Sequence, residues 1–126
     1  MDENLIKELM RHNYITIDDA KKYGKCVQTI YSSVVRWDNS LIQRSSDGDK
    51  KVFNFWVPKN SIKDFNNAMN ELGMNLKYFE KDEVSPACYG FMEEKYPDLA
   101  RLIKGCCKIK QQEQQNIITQ GRECRR

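Results

Sequence analysis

Histidine is nearly missing from this chain: His12 is the only one in 126 residues, and no two cysteines have C-x2-C spacing. Those absences remove the usual imidazole and thiolate sets for zinc, so no metal is expected. Long hydrophobic runs are missing as well. Apolar residues come a few at a time, far short of the ~20 that cross a bilayer. The opening stretch, Met1 to Asn13, is acidic and amphipathic and has no apolar centre of the secretion-signal kind. A cytoplasmic protein without a membrane partner is therefore expected. Five cysteines (Cys26, Cys88, Cys106, Cys107 and Cys124) form an odd set and read as reduced, largely structural thiols. Scattered carboxylates and separated thiols offer no pairing that activates a nucleophile or a metal-bound water. Neither enzymatic activity nor a cofactor is expected.

Net charge of +3 decides little, but its distribution is uneven. Residues 2–19 carry five acids against Lys7 and Arg11. Residues 20–59 carry eight bases against Asp38, Asp47 and Asp49. The next stretch, 60–96, is acidic, with seven acids against four lysines, and 97–126 is basic again, with seven bases against three acids. A basic block of this kind suits a polyanionic partner, because each neutralised phosphate releases counterions.

Hydrophobic spacing organises the same block. Leu5, Ile6, Leu9 and Met10 predict a first helix that Asn13 can end. Thr16 is positioned to cap a second helix of about two turns, with Asp19 at the capping-box position. Gly24 stands where a left-handed residue commonly closes a helix. A third helix is expected from about Val27 to Trp37. Its apolar stripe is Val27, Ile30, Tyr31, Val34 and Val35, and its opposite side is Gln28, Thr29, Ser32 and Arg36, extended by Lys25. No acid falls between Lys25 and Trp37. Two short helices joined by a tight turn have the anatomy of a helix-turn-helix.

The period then changes to that of strands. Leu41 to Arg44 and Val52 to Val57 flank Asp47-Gly48, a hairpin-turn signal, and Arg44, Lys50 and Lys51 crowd the tip. Pro58 closes the second strand. Asn60 or Ser61 then starts a helix bearing Ile62, Phe65, Ala68, Met69 and Leu72, which Gly73 ends. Further on, Leu76 to Phe79 could form a strand. Pro97 opens a last helix with the stripe Leu99, Leu102, Ile103, Cys106 and Ile109, in which Gly105 is a weak point. The final dozen residues read as frayed or disordered.

The run Tyr14-Ile-Thr-Ile-Asp-Asp-Ala, then Gly24, Gln28-Thr-Ile-Tyr, Val34-x-Arg-Trp, a basic hairpin and Val57-Pro-Lys-x-x-Ile-x-x-Phe resembles the winged helix-turn-helix domains of phage excisionases and MerR-like regulators. The resemblance covers about residues 14–70. It implies an α+β fold: a winged helix with a β-hairpin wing in residues 1–73, followed by a helical extension in 74–126 with additional C-terminal helices. It also implies a sequence-selective double-stranded DNA-binding protein, a transcription regulator or recombination accessory factor of a phage or mobile element. Lys25, Gln28, Thr29, Ser32 and Arg36 would then meet the major groove, while Arg44, Lys50 and Lys51 hold the backbone. The alternative is a protein–protein adaptor or inhibitor that captures a host protein on the same scaffold. A single short recognition helix reads few base pairs, so a dimer is expected, with Leu99, Leu102, Ile103 and Cys106 as its candidate interface; the same stripe equally suits packing on the protein's own core.

Overall fold

The computed structural model describes the backbone of residues 3–45 and 48–125, and within it the side chains of 3–38 and 48–112. The expected turn residue Asp47, the Arg44 side chain and Cys124 lie outside the described side chains.

Among the described residues, five α-helices and a four-stranded antiparallel sheet make the protein α+β. The chain begins with α1 (Glu3–Arg11), α2 (Ile17–Tyr23) and α3 (Val27–Ser33). A hairpin of β1 (Arg36–Ser45) and β2 (Gly48–Val57) follows, then a 3-10 turn (Lys59–Ser61) and α4 (Ile62–Glu71). The last elements are β3 (Lys77–Phe79), β4 (Ala87–Met92) and α5 (Pro97–Arg125). None of the described helices is long and apolar enough to cross a membrane.

Local signals explain most of the boundaries. Asn13 adopts φ 60°, the left-handed conformation asparagine tolerates, and the chain turns out of α1 there. The capping box at α2 is complete: Asp19 N–H donates to Thr16 Oγ1 (3.1 Å), and Thr16 N–H donates to the Asp19 carboxylate (3.0 Å). Gly24 departs from expectation. It is right-handed (φ −47°), and glycine is needed there because a Cβ would come within 2.8 Å of the Ala20 carbonyl oxygen. Gly73, by contrast, does close α4 region in the left-handed conformation (φ 72°).

The third helix is shorter than its hydrophobic spacing predicts. It ends at Ser33, and Val34 is already extended (φ −81°, ψ 123°). Two adjacent β-branched residues explain the change, since Val34 and Val35 lose side-chain freedom in a helix and suit a strand. Val35 N–H donates to the Trp56 carbonyl at 3.0 Å, drawing the chain into the sheet. Arg36 therefore stands on β1 and not on the polar side of α3.

The segment 74–126, expected to be a helical extension, instead completes the sheet before forming one helix. The strand order is β1-β2-β4-β3, so β4 lies beside β2 and β3 takes the outer edge. Alternate residues of β2 and β4 (Phe53, Phe55, Val57, Ala87, Tyr89 and Phe91) are buried together. Helices α3, α4 and α5 supply the opposing core, through Val27, Ile30, Phe65, Met69, Leu99, Leu102 and Ile103. Phe55 is the centre of an aromatic cluster, with Phe65, Tyr89, Phe53 and Phe91 rings at 5.4, 5.2, 6.0 and 6.1 Å.

The candidate self-association surface is corrected by the same packing. Leu99, Leu102, Ile103 and Cys106 are all 0% exposed, because their side of α5 fills the core. The helix presents none of these four to a second copy. Gly105 shares that buried side. A Cβ there would lie 2.8 Å from the Tyr14 Cβ and 3.0 Å from Leu9 Cδ2, so the glycine permits α5 to press against the α1 region. Of the last dozen residues, expected to be frayed or disordered, the backbone is described to Arg125 as the end of α5, and the side chains lie outside the described set.

Candidate functional site

Three of the residues expected to read a partner stay at the surface of the α2–α3 pair. Lys25, Gln28 and Ser32 are exposed, and Thr29 is half-buried. Gln28 and Ser32 stand one turn apart, and the Gln28 amide donates to Ser32 Oγ at 3.0 Å. The buried side of α3 (Val27, Ile30 and Ser33) fixes the orientation of this row. The row forms one wall of a cleft of about 390 Å³ whose other wall is Ser61 of the 3-10 turn and Asp64, Asn67 and Glu71 of α4. Apart from Cys26 and Ala68 the cleft is lined by polar residues, and it carries two acids opposite Lys25. Below it, the Cys26 thiol lies 3.8 Å from the Ala68 carbonyl oxygen and 3.9 Å from Glu71 Oε2. Burial and the Glu71 charge push that thiol's pKa up, so it stays protonated.

The other expected contacts are dispersed. Arg36 stacks over the Trp56 ring, its guanidinium carbon 4.1 Å from the ring centroid, on the face of the sheet opposite the helices. Lys50 pairs with Glu94 at 3.1 Å. Lys51 is exposed and borders a second cleft of about 510 Å³ between the hairpin and the start of α5, where Arg101 and Lys104 face Glu93 and Glu94. The structure thus gathers Lys25, Gln28, Thr29 and Ser32 on one surface and separates Arg36 from them.

What holds α2 in place was not foreseen in the sequence. Asp19 is 4% exposed and accepts two hydrogen bonds from Arg101 of α5, at 3.2 and 3.0 Å. Burial alone would raise the Asp19 pKa, but the Arg101 and Thr16 hydrogen bonds overcome it and hold the carboxyl below its usual range. Lys22 reaches Asp98 at 2.8 Å, and the Asp98 pKa is likewise lowered against the effect of its burial. Two ion pairs therefore bind α2 to the first turns of α5. Beneath them the Tyr23 hydroxyl is buried beside Asp98, and burial together with that carboxylate pushes its pKa well up.

The exposed face of the sheet is a further surface that the sequence reading passed over. Cross-strand register sets Arg36, Trp56, Cys88 and Phe79 in one row and Asp38, Asn54, Gly90 and Lys77 in the next. No described element covers these rows, and Phe79 is 67% exposed. Among the described residues no group of three or more His, Cys, Asp or Glu is arranged to hold a metal ion. Comparison with family models, curated proteins and solved structures finds no match to this chain.

Proposed function

We propose that the protein binds double-stranded DNA through α3, on a winged-helix arrangement in which α2 and α3 form the helix-turn-helix and β1–β2 the wing. The observation that carries this reading is the solvent-facing row of Lys25, in the turn before α3, and Gln28 and Ser32, on a helix whose opposite side is locked into the core. Glutamine is suited to a bidentate contact with adenine, serine to either groove partner, and lysine to phosphate or guanine. The resemblance of residues 14–70 to excisionase-like domains supports the same assignment. Asp64 and Glu71 across the cleft repel phosphates, so the backbone must approach from the Lys25 side. Within the groove an acid can still accept from cytosine N4. Arg36 has no part in this contact.

Selection of bound duplexes from a random pool, followed by mobility-shift titration, tests the assignment. A selected sequence is expected, and Gln28→Ala should weaken it by about 1–3 kcal/mol. Lys25→Ala should weaken all sequences and flatten the salt dependence by about one unit of slope. Absence of duplex binding, or indifference to both variants, refutes the proposal. A second reading, an adaptor for a host protein, draws on Asp64 and Glu71, which give the α3–α4 cleft an acidic wall suited to a basic peptide. Binding of a lysine-rich peptide that depends on Asp64 and Glu71, without duplex binding, would favour it.

A further inference from the structure

We infer that the helix-free face of the sheet is a binding site for single-stranded nucleic acid, separate from the surface assigned to duplex. Two hollows meet on this face. One, of about 380 Å³, lies among Arg36, Trp56, Phe79, Lys81 and Pro86. The other, of about 500 Å³, runs along Val52, Asn54, Lys77, Gly90 and Met92. They share Phe79 and Cys88, so they form one continuous trough.

Three features of the trough define its occupant. First, no carboxylate lines either hollow, whereas Arg36, Lys77 and Lys81 do. Among the described residues none of these three cations is in an ion pair. The acids nearby are occupied or to one side. Glu80 pairs with Lys59, Asp82 accepts from Val84 N–H, Ser85 N–H and the Ser85 hydroxyl, and Asp38 lines neither hollow. Second, the floor is aromatic. Trp56 lies under the Arg36 guanidinium, and Phe79, two strands away in the same row, stands in solvent. Such faces accept any base by stacking, and an arginine plane extends the stack. Third, the trough is deepened at Gly90, where a Cβ would come 3.0 Å from Asn54 Oδ1. Cationic rims around an aromatic, sequence-tolerant floor match an unpaired strand, whose bases are free to lie flat and whose phosphates lie outside them. A duplex keeps its bases stacked on one another and cannot use this floor.

The test is fluorescence anisotropy of the full chain with labelled single-stranded 12-mers of dA and of dT, their duplex, and adenosine monophosphate as competitor. Both strands are expected to bind with little preference between them. Phe79→Ser, at a side chain that is largely in solvent, should weaken strand binding about five-fold to a hundred-fold. Arg36→Ala and Lys81→Ala should each reduce the salt slope by about 0.7. Phe79→Ser should leave any duplex complex at α3 intact, so failure of one assignment is distinct from failure of the other. The inference is overturned if neither strand binds, or if strand affinity survives Phe79→Ser and Arg36→Ala. It is equally overturned if adenosine monophosphate binds as tightly as the strands, or if the duplex binds as tightly and loses affinity with Phe79→Ser.

Discussion

The two faces of the sheet are built from the same strands and yet have opposite characters. On β2, Phe53, Phe55 and Val57 turn inward and are 0% exposed, while Val52, Asn54 and Trp56 alternate with them and face away from the helices. The inner face is closed by α3, α4 and α5, and Phe55 is surrounded by rings from α4 and from β2 and β4 themselves. The outer face holds rings too, in Trp56 and Phe79, but they are spread along a single row and flanked by cations. Aromatic content is therefore not what separates core from surface here. The separation comes from what stands across from each ring: another ring inside, water and an arginine outside. Apolar burial stabilises the first arrangement, and the second is available for a partner.

This contrast can be broken most severely from inside. Phe55→Ala should cost about 3–5 kcal/mol in urea or thermal unfolding, because its cavity is walled by side chains that cannot close over it. Phe79→Ser on the outer face should change stability by less than about 0.5 kcal/mol in the same measurement. A large loss there would show that the outer row is structural. Next in size is the α2–α5 connection. Asp19→Ala removes the helix cap and the Arg101 pair together and should cost about 2–3 kcal/mol, the Arg101 side being half in solvent and able to rehydrate. Gly105→Ala should also destabilise, by about 1 kcal/mol or more, although alanine is the better helix former. An increase in thermal stability with that variant would contradict the close approach of α5 to Tyr14.

Acid sharpens the comparison most gently. The carboxyls of Asp19 and Asp98 have lowered pKa values in the folded protein. Their stabilising contribution is fully present above the unfolded Asp value of about 3.9 and is lost as pH falls through their lower folded values. Stability should thus be level near neutrality and decline below about pH 4. Asp19→Asn should make that decline shallower. An identical acid profile in the variant would remove Asp19 from the account.

Much of the local structure was legible in the sequence, because it rests on short-range chemistry. The Thr16–Asp19 capping box, the Asn13 turn, the hairpin preceding Pro58 and the Phe65 side of α4 all follow from residues within one or two turns of each other. Features that depend on distant partners were not legible. The apolar spacing of Val34 and Val35 continues that of α3, and only the hydrogen bond to Trp56 decides that the chain leaves the helix there. Strand β4 carries Gly90 in its middle and is preceded by Pro86, both poor strand formers, so its alternation of Ala87, Tyr89 and Phe91 is a weak signal until β2 stands beside it. The placement of Lys25, Gln28 and Ser32 in solvent was read correctly, while Arg36 moved to the other surface with the end of the helix. Gly105 looks like a defect in a linear reading and becomes a requirement only when Tyr14 is found against it.

The bond between Asp19 and Arg101 joins positions 82 residues apart, and Lys22 reaches across 76 to Asp98. During synthesis the capped helix must therefore leave the ribosome before its carboxylate can meet Arg101, and wait until that residue, 82 positions later, has followed. Such long-range closure slows folding relative to a chain of neighbouring contacts. A helix made well before α5 is secured only when α5 arrives.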